Sequence, residues 1–170
     1  MGSGKTSVGK CLAQKLNMQF VDVDFFIENR YRKSINEIFE TKGENEFRKM
    51  EHLVIEEIAS FENVIISTGG GAPCFYNNID LMNRTGLTVY LKVSEEELAK
   101  RLNCCKSSRP LLKNKSSEEL LSYVSENLNK REPVYSQAQL IFDAEKMLDN
   151  TDIEHIVNNL ILKISSMHAI

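Results

Sequence analysis

The chain has 170 residues, of which 42% are hydrophobic and 26% charged, with a formal net charge of −3. That is enough for one packed domain and too little for two ordinary ones. A mildly acidic balance without a basic run argues against nucleic-acid or membrane-surface binding, and no apolar run reaches the roughly 20 residues of a membrane helix. Cys11, Cys74, Cys104 and Cys105 lack metal-ligand spacing and read as free thiols of a reducing compartment, so a cytoplasmic protein is expected.

In chain order the first signal is Gly2-Ser3-Gly4-Lys5-Thr6, the back half of a phosphate-binding P-loop. Glycines let backbone N–H groups curl around phosphate oxygens, the lysine reaches the terminal phosphates, and the threonine hydroxyl ligates Mg²⁺. A helix follows at once, with Val8, Cys11, Leu12 and Leu16 on one face, and its N-terminal dipole favours anions. The full motif, G-x-x-x-x-G-K-[ST], sets its first glycine just before Met1, at the end of an apolar strand. The expectation is that this first strand is missing before residue 1.

Residues 19–23 read as a short strand ending in Asp22-Val23-Asp24. Residues two apart on a strand share a face, so both carboxylates are predicted to point into one cleft at its carboxyl end. A charged helical piece runs to Tyr31. Ser34-x-x-Glu37 is a capping box that opens a short helix carrying Ile35, Ile38 and Phe39, which Gly43 stops. Residues 44–59 form a longer helix with Phe47, Met50, Val54 and Ile58 inward. Arg48 on that helix either grips a carboxylate with its planar fork or makes an ordinary i,i+3 pair with Glu51.

Val64-Ile65-Ile66-Ser67 suits a strand buried on both faces. It runs into Thr68-Gly69-Gly70-Gly71, where three glycines permit close backbone approach to a ligand. A helix at 79–83 and a strand at 88–91 follow, and then Ser94-x-x-Glu97 caps a helix at 95–102. Residues 103–115 lack apolar periodicity, carry Arg109-Pro110, and read as a mobile lid. Such a lid brings positive charge to a transferring phosphate and excludes water. Ser116-x-x-Glu119 caps a helix with Leu120, Leu121, Val124 and Leu128 inward, closing at Arg131-Glu132-Pro133. Residues 140–142 make the last strand. Ile153, Ile156, Val157, Leu160 and Ile164 share one face of a final helix. His52, His155 and His168 compose no triad or metal cluster. The strand–helix alternation predicts an α/β fold of the P-loop kinase type: one domain over 1–170, in three layers, with a parallel sheet and helices on both faces.

Five features in order, G-S-G-K-T, the D-V-D strand end, E-F-R-x-x-E, T-G-G-G-A, and R-P-L-L followed by K-R-x-P-x-Y, resemble shikimate kinases from Gly2 to about Ile161. The resemblance implies an ATP-dependent phosphotransferase acting on the 3-hydroxyl of shikimate, with ATP as co-substrate and Mg²⁺ as cofactor. It implies that Gly2, Ser3, Gly4, Lys5, Thr6 and Ser7 bind the phosphates, and that Thr6 and Asp22 serve the metal. Asp24 meets the substrate hydroxyl, and Lys5, Asp24 and the lid residue Arg109 are catalytic. Residues 24–60 form the substrate-binding segment. There Arg48, with Arg131 opposite, holds the carboxylate and Phe39 and Phe47 wall the ring, while Gly69, Gly70 and Gly71 face the substrate. Arg101 stacks on adenine, Arg109 also contacts the nucleotide, and residues 145–150 complete that edge. A monomer with only small-molecule partners is implied. The alternatives are another small-molecule P-loop kinase, of the gluconate or nucleoside-monophosphate type, and an impaired remnant that folds poorly or binds ATP weakly without its central strand.

Overall fold

The computed structural model describes residues 2–104, 116–145, 147 and 149–167. Helix α1 (Lys5–Leu16) starts directly after Gly4, whose φ of 81° lies in the left-handed region that suits glycine. Strand β1 (Gln19–Asp22) follows. It yields to α2 (Val23–Tyr31) sooner than the apolar pattern implies. The cause is Asp22, whose Oδ1 accepts from the backbone N–H groups of Asp24 (3.1 Å) and Phe25 (3.4 Å), an N-cap that turns the chain into a helix. Asp24 therefore stands in the first turn of α2, and the strand argument for its direction is replaced by a helical one.

Helix α3 (Ile35–Ile58) opens with the Ser34–Glu37 capping box and breaks at Gly43 (φ 78°, ψ 171°), so the two helical pieces read from the sequence are both present. Then come β2 (Val64–Ser67), a 3-10 turn at Ala72–Cys74, α4 (Asn78–Thr85), β3 (Val89–Lys92) and α5 (Glu95–Cys104). Asn103 and Cys104 finish α5 instead of opening the lid. The rest of that stretch, Arg109 included, lies outside the described residues, as do Cys105 and His168. Helix α6 (Ser117–Tyr135) carries the Ser116–Glu119 capping box and runs past Pro133. The proline forfeits one backbone donor near the helix end, and the N–H groups of Ser136 and Gln137 still close onto Glu132 and Val134. Strand β4 (Leu140–Asp143) and helix α7 (Asn150–Met167) complete the chain.

The architecture is α/β with parallel strands, and among the described residues they form two pairs. Strand β1 pairs with β2 from Gln19↔Val64 to Asp22↔Ser67. Strand β3 pairs with β4 from Val89↔Leu140 to Lys92↔Asp143. Strands β2 and β3 are not bonded to each other, so the one continuous sheet expected from the alternation is interrupted in the middle. The core divides accordingly. One part joins Val8 and Leu12 of α1 to Leu91, Leu98, Leu120 and Val157. The other joins Val23 and Ile27 of α2 to Ile38, Phe47, Val54 and Ile58 of α3. Between them runs a cavity of about 810 Å³. Val64, Ile65 and Ile66 are only half-buried, short of the burial expected on both faces, because this cavity lies beside them.

Each capping serine accepts the N–H of the residue three along, from Glu37 at 3.2 Å and from Glu119 at 3.1 Å. Replacing Ser116 by Ala strands that donor and should lower stability by about 1 kcal/mol, measurable as an earlier urea midpoint with an unchanged slope.

Candidate active site

The P-loop and the strand–helix junction meet at one carboxylate. The Thr6 hydroxyl donates to Asp22 Oδ2 at 2.9 Å, while Asp22 Oδ1 is occupied in capping α2. Two hard oxygens this close suit Mg²⁺, which takes one or two protein oxygens and fills its octahedron with water and phosphate. Among the described residues no group of three metal-ligating side chains exists, so a cation here draws its other ligands from solvent and nucleotide. Gly2 and Gly4 both have positive φ. A side chain on Gly4 would collide with the Met147 thioether, which lies over the loop, and Gly2 backs onto Leu98 and Leu102 of α5. Lys5 Nζ reaches Ser3 Oγ at 3.4 Å. Ser7 is exposed.

Two residues after Asp22, in the first turn of α2, Asp24 faces the glycine segment. A Cβ built on Gly69 would stand 3.1 Å from Asp24 Oδ1 and 3.2 Å from Glu51 Oε1, so a side chain there would crowd both carboxylates. Burial, helped by the Asp22 charge, holds the Asp24 carboxyl above the ordinary carboxylate range, against the pull of Lys5 and Arg48. Glu51, 1% exposed, is also raised, because burial outweighs its hydrogen bond and attraction to Arg48. Its Oε1 is buried with no hydrogen-bond partner.

Arg48, 9% exposed, is gripped from two sides. Nη1 donates to Glu51 Oε2 at 2.7 Å, and Nη2 and Nε donate to Glu44 Oε1 at 3.1 and 3.3 Å. The pair with Glu51 read from the sequence is therefore real, but it is buried rather than a surface contact. The guanidinium lies 4.4 Å from the Phe75 ring centre and 5.1 Å from that of Phe47. A Cβ on Gly71 would fall 2.6 Å from Arg48 Nη2. Phe39 packs on Phe47 with ring centres 4.5 Å apart; Phe47 belongs to the core, and Phe39 is the more accessible of the two.

Helix α6 brings in the far wall. The Tyr135 hydroxyl donates to the Gly70 carbonyl. Arg131, one turn earlier, hydrogen-bonds that hydroxyl, and with Arg48 it opposes the upward push that burial gives the Cys74 thiol. Both arginines thus bear on Cys74, whose N–H donates to the Gly71 carbonyl at the end of the glycine turn. Sequence reasoning gave no role to Glu51, Phe75 or Tyr135. Glu51 and Tyr135 left a signal, as the last residues of E-F-R-x-x-E and K-R-x-P-x-Y. Arg101 behaves differently: its Nε pairs with Glu97 Oε1 at 2.8 Å and its Nη2 donates to the Ala144 and Glu145 carbonyls at 3.1 and 2.7 Å. It ties α5 to the segment after β4 and approaches the predicted adenine edge through the backbone.

A phosphate loop and a carboxylate beside it, facing two convergent arginines across a glycine turn, make a site for phosphoryl transfer to a small anionic acceptor. The family model described as shikimate kinase matches residues 1–162. The chain belongs to the shikimate kinase family. It is 53% identical to the shikimate kinase of Parabacteroides distasonis over 164 residues, covering 96% of this chain and 94% of that one. The crystal structure of the shikimate kinase from Bacteroides thetaiotaomicron superposes with a TM-score of 0.93 at 47% identity, covering 97% of this chain and 94% of the other. The Acinetobacter baumannii shikimate kinase, solved in complex with shikimate, superposes at 0.81 with 32% identity, over 98% and 89% of the two chains. The gluconate and nucleoside-monophosphate kinase alternatives are not favoured by these matches.

Two consequences concern stability alone. A buried acid whose folded pKa is raised contributes most below its unfolded pKa, and that contribution is lost as pH rises through the folded value. Asp24→Asn should therefore melt above the parent at neutral pH, with the gap closing as pH falls into the carboxylate range; scanning calorimetry across pH checks it. Gly71→Ala must displace the Arg48 guanidinium and should lower the melting temperature at every pH, by about 2–4 °C for each 1 kcal/mol lost.

Proposed function

We propose that the chain transfers the γ-phosphoryl group of ATP to the 3-hydroxyl of shikimate, with Mg²⁺, as a cytoplasmic monomer. The observation that carries this reading is the placement of Asp24, between the P-loop lysine and the buried Arg48–Glu51 pair, on the wall lined by Gly69. A base there touches an acceptor hydroxyl on one side while the phosphate loop stands on the other.

Each residue then has a physical task. Gly2, Ser3, Gly4, Thr6 and Ser7 surround the nucleotide phosphates at the N-terminus of α1, where backbone donors and the helix dipole favour anions. Lys5 neutralises charge on the transferring group. Thr6 and Asp22 would hold Mg²⁺, which when bound screens the phosphate charge. Asp24, its pKa raised by burial, accepts the proton of the acceptor hydroxyl more readily than an ordinary aspartate. The shikimate carboxylate docks on Arg48 and Arg131, with Phe39 and Phe47 beside the ring and Gly69, Gly70 and Gly71 against its oxygens. Arg101 serves the adenine edge, and Arg109, from the lid, completes the charge around the phosphates. Catalysis is positioning plus fixed electrostatics.

The Arg48 contacts suggest how the fork becomes available. Glu51 is buried and stays, whereas Glu44 is 57% exposed and lies in water. An exposed ion pair is worth about 0–1 kcal/mol, so a substrate carboxylate displaces Glu44 and takes Nη2 and Nε in its place. Glu44→Gln should then lower the KM for shikimate by about two- to fivefold with little change for ATP. Arg48→Lys should raise it tenfold or more, since a point charge cannot make two parallel bonds to a carboxylate.

The direct test is ADP release with ATP, Mg²⁺ and shikimate. Turnover with gluconate or a nucleoside monophosphate in place of shikimate would overturn the acceptor. Asp24→Asn should cut kcat by about 100-fold or more with ATP affinity nearly kept. In the parent, kcat/KM should fall as acid protonates Asp24, beginning at higher pH than an ordinary aspartate because that pKa is raised; the Asn variant should lack this limb. Near-normal turnover in the variant removes Asp24 from the chemistry.

A further inference from the structure

His52 stands one helical turn beyond Arg48 on α3, so the two side chains share a face of that helix. Both meet the strap of chain from Gly69 to Asn78. Arg48 lies against Gly71 and beside the Phe75 ring. His52 meets the far end, where its ring stacks on Tyr76 with centres 5.2 Å apart and its Nδ1 lies 2.6 Å from Asn78 Oδ1.

Asn78 clasps the strap from inside. It is fully buried. Its backbone N–H donates to the Phe75 carbonyl at 2.9 Å and its Nδ2 donates to the Ala72 carbonyl at 2.8 Å. A carbonyl only accepts, so the amide nitrogen must face Ala72 and the amide oxygen must face His52. His52 Nδ1 therefore carries a proton and donates it to that bond. The other ring nitrogen, Nε2, stands 3.5 Å from Glu56 Oε1.

The chain between these contacts is strained. Tyr76 (φ 50°) and Asn77 (φ 56°) are successive non-glycine residues in the left-handed region. Asparagine visits that region readily, a bulky tyrosine seldom. Such a conformation persists where its surroundings hold it, and it gathers at functional sites. Here the holders are the His52 ring on Tyr76 and the two Asn78 bonds. What they fix is Phe75, whose ring centre lies 4.4 Å from the Arg48 guanidinium.

We infer that His52 is a positioning residue of the acceptor pocket: through Asn78 and Tyr76 it holds Phe75 on the Arg48 guanidinium and keeps that fork aimed at an acceptor carboxylate. This deepens the phosphotransferase reading and rests on it for the identity of the acceptor. His52→Leu leaves Asn78 Oδ1 buried and unpaired, so the strap relaxes and Phe75 leaves Arg48. His52→Asn places an amide N–H where Nδ1 stood and restores the bond. These contacts lie on α3 and the strap, so the ATP side is spared.

The test pairs kinetics with NMR on the full chain. His52→Leu, or His52→Gln should the leucine variant not fold, should raise the KM for shikimate about fivefold, with kcat and the KM for ATP within about twofold of the parent. His52→Asn should bring that KM back to within about twofold of the parent. Phe75→Leu should raise the same KM, and adding H52L to it should cost nothing further, because both act through one contact. The Arg48 Nε–H resonance, set beside the Phe75 ring, should shift in His52→Leu and return in His52→Asn. An unchanged KM for shikimate, an equal loss for shikimate and ATP, no recovery in His52→Asn, or additive losses in the double variant overturns the role. Should the parent phosphorylate some other acceptor, the function fails and the Arg48 resonance still decides: a shift that His52→Asn reverses supports the positioning role, and an unmoved signal overturns it.

Discussion

The site depends on the Asp22 carboxylate. One oxygen receives the Thr6 hydroxyl from the P-loop helix, and the other caps α2 through two backbone donors. A single side chain thereby fixes where α1 stands relative to β1 and where the strand becomes a helix. Asp24 inherits its direction from that cap. With Asp22 committed to both contacts, Asp24 is the carboxylate left to face the glycine turn.

The second constraint is charge burial. Asp24, Glu51 and Arg48 share a volume so small that a side chain on Gly71 would have to displace the Arg48 guanidinium and one on Gly69 would crowd both carboxylates. Two acids and one buried base leave an imbalance, which shows in the raised pKa values of both acids and in the partnerless Glu51 Oε1. Such a cluster lowers stability at neutral pH, and proteins keep strain of this kind where it serves chemistry. A neutral, well-packed replacement would fold more readily and would have nothing to offer an anionic acceptor. Tyr135 and Arg131 close the far side, so the pocket is assembled from α2, α3, the glycine turn and α6.

The third constraint is the divided sheet. Helix α1 packs against β1 and β2 on one side and α7 on another, so it spans the two halves without any strand pairing between them. The phosphate loop sits at the mouth of the gap. The acceptor half of the site rests on its own core, built from α2 and α3.

Signals carried by short spans of sequence were legible without coordinates. The P-loop glycines and lysine, the capping boxes at Ser34 and Ser116, the break at Gly43, the strand at Val64–Ser67 and the phase of α3 all follow from neighbours within a few residues. The convergence of Asp24, Arg48, Gly71 and Arg131 was reached through ordered motifs rather than through any local rule. Tertiary structure decided the rest, since burial and pairing depend on residues far apart in the chain. It made Asp22 a helix cap and so set Asp24 in a helix. It buried the Arg48–Glu51 pair under Phe75 and drew Arg101 to the Ala144 and Glu145 carbonyls. It also left β2 and β3 unbonded to each other among the described residues, because strand pairing is a contact between segments far apart in the chain.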